Sequence, residues 1–212
     1  MESLDAHFAA QKWAKTEIWP FLAALLSLFN GLPWSDPEGR AIIDVMSVLY
    51  PPKIDEEFSR HLTAEDELGV IIRAHIHVEA SLNEIVVALV PFPDDLPRLN
   101  YEPKLKLACA LGLKQDRFQP LKRLGDLRNS FGHRLDATLS DSKVNELYGA
   151  LCTEDKDLIA AAYKMTNDQR GDSNPPAFDT LPAKDRFVLI AVMLKAFLVA
   201  AAHEAREKKS RS

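Results

Sequence analysis

A chain of 212 residues is long enough for one domain with a substantial core, or for such a domain plus an N-terminal extension. Apolar residues make up 47% and charged residues 27%, too apolar for a disordered polymer, and the net charge of -5 argues against a protein that coats nucleic acid. Cys109 and Cys152 are far apart, in neither a CxxC nor a metal-type spacing, and read as buried, reduced thiols of a cytoplasmic protein.

The start, MESLDAHF, is acidic and amphipathic and lacks the basic stretch, long apolar run and cleavage site of a signal peptide. Helical periodicity then dominates, predicting helices near 2–30, 37–49, 63–90, 102–112, 117–137, 141–151, 154–166 and 183–207. Ser35 with Glu38 forms a capping-box pattern, while Thr63 and Thr153 are placed to cap the helices after them. Prolines fall between these segments, and no stretch shows the sustained alternation of a sheet strand. The run FVLIAVMLKAFLVAAA at 187–202 carries Lys195 and is shorter than the roughly 20 residues that span a bilayer, so it predicts a buried core helix and no membrane partner. Residues 167–182 predict a mobile connecting loop, and REKKSRS a frayed, solvated tail. The expectation is an all-α bundle over 61–207, with an N-terminal helical extension over 1–60 and a flexible tail at 208–212.

Charge is unevenly spread. Between Arg98 and Arg134 nine basic residues, including Lys114, Arg117, Lys122 and Arg123, face only three acidic ones, so the rest of the chain is markedly acidic. Such a reversal suits a phosphate-facing surface and equally suits a solvated basic face without function.

Within this stretch lies LGDLRNSFGHRLD, residues 124–136. A bare Arg followed four to six residues later by His arises about once by chance in a chain of this composition, so context must supply the weight. At about 100° per residue, Leu124, Leu127, Phe131 and Leu135 share an arc of about 80° and form a core stripe, leaving His133 about 180° from Leu124. Asn129 and His133 are i, i+4 neighbours. Arg128 points about 140° away from His133, so one straight helix does not aim both at one point. A second copy packed about a two-fold axis could bring both pairs into one cleft. Gly132, costly inside a helix by about 0.5–1 kcal/mol, suits either a close backbone approach or a helix that ends there.

These residue types fit RNA cleavage. An imidazole with an ordinary pKa of about 6.5 can take a proton from a ribose 2'-OH or give one to a leaving 5'-oxygen. A guanidinium offers a rigid fork of donors to phosphate oxygens as their charge grows. This route needs no metal or other cofactor, and Asp44, Asp55, Glu56 and Glu57 read as solvated surface charges.

LRNSFGH resembles the Arg-Asn-x-x-x-His signature of the HEPN superfamily, helical-bundle domains found in many ribonuclease toxins and phage-defence nucleases. HVEASLNEIVVALV, KLKLACALGL and LKRLGDLRNSFGHRL follow in an order similar to that of the mannitol-operon repressor branch of that superfamily. The likeness is convincing over about 75–150 and extends as a fold to about 63–205. It implies a homodimer with the site at the interface, Arg128 on phosphate, Asn129 assisting and His133 acting through a cyclic phosphate, together with an antitoxin or regulatory partner. In the repressor branch it implies instead a non-catalytic co-regulator acting through protein contacts. One departure matters: toxins silenced by adenylylation carry a tyrosine where this chain has Leu135.

Lys122, Arg123, Arg134, Lys114 and Arg117 are the expected RNA-binding residues, with unpaired RNA as target. His75 and His77 diverge by about 200° on a helix and cannot chelate together, whereas His75 and Glu79 can, without an evident third ligand. Glu79 is expected inside the bundle, hydrogen-bonded to Arg128 or His133. Ser130 has no nucleophile elbow around it. Trp13, Trp19, Phe21 and Phe29 read as packing residues, and His7, His61 and His203 have no partner pattern.

Overall fold

The computed structural model describes residues 62, 66–133, 137–171 and 174–210. The helices predicted near 2–30 and 37–49 lie outside these, as do Ser35, Thr63, Arg134 and Leu135. Within the described residues the chain is all-α: α1 (Glu67–Leu89), α2 (Tyr101–Ala110), α3 (Phe118–Gly132), α4 (Asp141–Gly149), α5 (Thr153–Arg170) and α6 (Ala183–Ser210), with single 3-10 turns at Pro93–Asp95, Gln115–Arg117 and Phe178–Thr180.

α1 begins where Asp66 takes an extended conformation and its carboxylate accepts from Gly69 N at 2.7 Å, a cap of the kind that contributes about 1 kcal/mol. It ends at Val90, held extended in front of Pro91. Val70, Ile71, Ala74, Val78, Leu82 and Ile85, at i, i+3/i+4 spacing, are wholly buried. They meet α6, whose residues Phe187–Ala196 are buried on every side, the mark of a core helix. α6 is also the one helix among the described residues long and apolar enough to cross a membrane, yet 67% of its most apolar window is buried inside the protein.

α1 and α6 run side by side in the same direction. At their N-terminal ends Glu67 accepts from Leu139 N at 2.7 Å, while Arg186 donates to Asn145 Oδ1 at 2.7 Å and to the Leu181 carbonyl, and pairs with Asp141. At their C-terminal ends Arg206 pairs with Glu84 at 2.8 Å, and the Lys209 ammonium reaches the Val87 and Val90 carbonyls at the close of α1. Residues 206–210 of the expected frayed tail are therefore helical, because their cations answer the exposed carbonyl end of a neighbour.

Two other boundaries move. α2 stops at Ala110 rather than 112, since Gly112 turns the chain with a φ of 119°. α5 continues to Arg170 and closes on Gly171 in the left-handed conformation, so the expected 167–182 loop gives up its first turn to helix. Thr166 and Asn167 are buried there, which is why the helix persists. The remainder is tied down: Tyr163 donates to the Pro176 carbonyl at 2.8 Å, Phe178 stacks on Tyr148, and Leu181 is in the core. Cys152, not Thr153, occupies the cap position of α5 and makes no side-chain cap bond. Both cysteines are free thiols, Cys109 buried and Cys152 half-buried.

Candidate functional site

α3 carries the motif, and its placement starts at the opposite end from His133. Leu121, Leu124, Leu127 and Phe131 are buried as the core stripe of this helix. Tyr101 of α2 lies across it: its hydroxyl donates to the Leu121 carbonyl at 2.8 Å and its ring centroid is 4.3 Å from that of His75 on α1. The ring fits because residue 125 is glycine; a Cβ there would be 2.7 and 2.8 Å from Tyr101 Cε1 and Cδ1. Three helices thus converge one turn ahead of the motif, and that contact sets the rotation of α3.

From this clamp Arg128 and Asn129 emerge exposed, and Arg128 Nη1 donates to Asn129 Oδ1 at 3.1 Å. The helix then ends at Gly132, with His133 as its exposed C-terminal cap residue (φ -115°, ψ -2°). The expected continuation to 137 does not occur. Of the two readings of Gly132, the helix end is the one the chain adopts: among the described residues nothing lies within 4 Å of where its Cβ would be. His133 is released from strict helical geometry, at the edge of residues 134–136, which lie outside the described set.

Electrostatics beneath the motif centre on His75. Burial lowers its pKa to about 4; Glu79 opposes that shift, while the nearby charges of Arg128 and Lys104 reinforce it. It is a neutral imidazole against an exposed guanidinium. Burial also pushes the Tyr101 phenol well above its ordinary value. Glu79 does not bond Arg128 or His133 as expected. It accepts from Lys104 Nζ at 2.9 Å, with His75 Nδ1 at 3.9 Å, because α2 rather than α3 faces that side of α1. Among the described residues no three His, Cys, Asp or Glu side chains are grouped to hold a metal ion.

The basic stretch is partly consumed by structure. Arg117, expected on RNA, is buried: it pairs with Asp155 of α5, and its guanidinium carbon lies 3.7 Å from the centre of the Phe197 ring on α6. A cation enclosed between a carboxylate and an aromatic face cannot reach a phosphate. Lys106 pairs with Glu102 at 2.8 Å, and Lys122 with Asp126 at 2.9 Å. The Lys122 pair is at the surface, where such pairs contribute little and exchange readily for another anion. Lys122 also shares a helix face with Asn129, two turns away. Lys114 and Arg123 are exposed, and Arg134 lies outside the described residues.

Two clefts open elsewhere. One of about 560 Å³ lies between the starts of α4 and α6, beside Ser140, Asp141 and Arg186. The other, about 310 Å³, lies beside Tyr163 and Phe178. Neither includes Arg128, Asn129 or His133, which are exposed at the last turn and end of α3. The pattern carries no expectation for Tyr101 or Gly125, and for His75 only a pairing with Glu79. A glycine inside the helical pattern LGDL was the signal that could have found the clamp.

Comparison of the chain with protein-family models, with curated proteins and with solved structures finds no match to any of them.

Proposed function

We propose that this chain is a metal-independent endoribonuclease, cytoplasmic, whose site is completed when the α3 ends of two copies meet about a two-fold axis. The observation that carries the reading is the exposure of Arg128, Asn129 and His133 together at the last turn of α3. Two other arginines, Arg117 and Arg186, are buried in ion pairs, whereas Arg128, at the surface, donates to its neighbour Asn129 and to no other side chain among the described residues. The resemblance of LRNSFGH to the HEPN signature adds support.

In the reaction His133 of one copy takes the proton of a ribose 2'-OH as its oxygen attacks the adjacent phosphorus. The bond from phosphorus to the 5'-oxygen breaks, and the leaving oxygen takes a proton from a protonated His133 of the second copy. The products are a 2',3'-cyclic phosphate and a 5'-hydroxyl. Arg128 donates to the non-bridging oxygens, and Asn129, bound to its guanidinium, fixes its direction. Lys122, Lys114 and Arg123 attract an unpaired RNA strand. The same resemblance supports a toxin or phage-defence role, with a protein partner to restrain it.

One observation favours a second reading: Arg128, Asn129 and His133 are exposed and line neither of these two clefts. A non-catalytic interaction module of the mannitol-repressor type would use the same surface for a protein partner. The deciding experiment incubates wild type and His133→Ala with single-stranded RNA in EDTA. Cyclic-phosphate ends that vanish in the variant support the enzyme; a folded, dimeric wild type that cuts nothing supports the module.

A further inference from the structure

The last turn of α3 has a neighbour that no local pattern announces. α4 packs beside α3 and starts under a Ser140 cap, whose hydroxyl accepts from Lys143 N at 3.5 Å. That start brings the Lys143 side chain to the motif. Its ammonium lies 4.9 Å from the centre of the Phe131 ring and donates to the Thr138 carbonyl at 2.7 Å. Phe131 comes just before His133 in the chain and Thr138 soon after it, so one lysine holds the backbone on both sides of that histidine.

Both partners of Lys143 are neutral, which fixes the ammonium in place and leaves its charge uncompensated. Among the described residues no carboxylate pairs with it. Lys104, Lys106, Lys122 and Lys208, by contrast, each pair with a Glu or Asp, and Arg117 and Arg186 are buried in ion pairs. Arg128 shares the condition of Lys143, being exposed and bonded to an amide rather than a carboxylate. Arg128 and Phe131 are i, i+3 neighbours with Cβ atoms about 5–6 Å apart, so the two cations flank one turn of helix. An anionic strand laid across that turn gains from both charges, and no acidic side chain has to be displaced.

We propose that Lys143 is a second phosphate-binding residue of the motif, holding the RNA backbone beside the phosphate that Arg128 takes. The ligand rests on the ribonuclease reading; the contact itself comes from α4, outside the basic stretch between Arg98 and Arg134.

The test measures binding of a single-stranded 2'-O-methyl oligoribonucleotide, which lacks the attacking hydroxyl, by the full chain over a range of salt concentrations. Wild type is compared with Lys143→Gln, which keeps an N–H donor without the charge, and with Lys143→Arg, which keeps the charge. Lys143→Gln should bind about fivefold more weakly at about 0.1 M salt, and its slope of log affinity against log salt should be shallower by about 0.7, the share of one phosphate contact on a single strand. Lys143→Arg should recover the wild-type slope. An unchanged slope in Lys143→Gln would overturn the proposal whether or not affinity falls, because a lysine that only braces the helix end releases no counterion. A slope reduced equally in both variants would overturn it too, since the loss would then trace to a disturbed helix end. Wild type that binds no oligonucleotide would defeat the ribonuclease reading itself, and this contact with it.

Discussion

His75 gives the most direct test of the packing beneath the motif. In the unfolded chain this imidazole titrates at its ordinary 6.5, whereas burial between Tyr101 and α1, with Arg128 close by, lowers the folded value to about 4. The unfolded chain therefore binds the proton first, and each fall in pH between these values favours unfolding. The stabilisation is complete above 6.5 and lost as pH falls towards 4. At about 1.4 kcal/mol per pH unit the whole span is worth about 3 kcal/mol, of which about 2 kcal/mol is already lost at pH 5. Urea unfolding of wild type and His75→Phe at pH 7.5 and pH 5 measures this, since phenylalanine keeps a ring against Tyr101 and cannot titrate. Wild type should lose about 2 kcal/mol more than the variant over that interval. Parallel losses, or a His75 imidazole proton resonance, assigned by its absence from His75→Phe, that titrates near 6.5 in the folded protein, would refute the reasoning.

Gly125→Ala should destabilise by about 1–2 kcal/mol, overpacking against Tyr101 outweighing the better helix propensity of alanine, and should become neutral or stabilising in a Tyr101→Ala background, as read by a double-mutant cycle in urea. Arg117→Ala should lose about 3–5 kcal/mol because Asp155 is left as an uncompensated buried charge, whereas a surface RNA contact would change stability by no more than about 0.5 kcal/mol. Asp185 runs opposite to His75: burial raises its pKa from 3.8 to about 6 against the pull of Lys184, so its contribution is most favourable below 3.8 and is lost as pH rises through 6. Asp185→Asn should accordingly be more stable than wild type at pH 7.5, by at most about 3 kcal/mol, with the gap closing by pH 4 in denaturant titrations.

The motif was legible as a surface feature. The spacing of Leu124, Leu127 and Phe131 fixed which side of α3 was buried, and with it the exposure of Asn129 and His133. Arg128 lay at the edge of that stripe and could have gone either way; the fold leaves it exposed. Arg117 was misread because a cation in a basic run looks the same in sequence whether it meets solvent or a carboxylate 38 positions away. Glu79, expected inside the bundle on Arg128 or His133, is half-buried and paired with Lys104 instead, since periodicity reports which face is polar but not which helix stands opposite.

Local pattern alone, then, determined the all-α class, the core character of 187–202 and the position of each described helix to within a few residues, because these depend on periodicity and on prolines between segments. Helix ends, side-chain partners and proton affinities were decided by tertiary structure. α3 stops at Gly132, α5 runs on to Gly171, and α6 continues to cap α1 with Lys209. His75 is held neutral beneath an arginine. The Lys209 cap and the proton affinity of His75 depend on groups distant in sequence brought into contact, where desolvation and charge act over a few ångströms that no local spacing encodes.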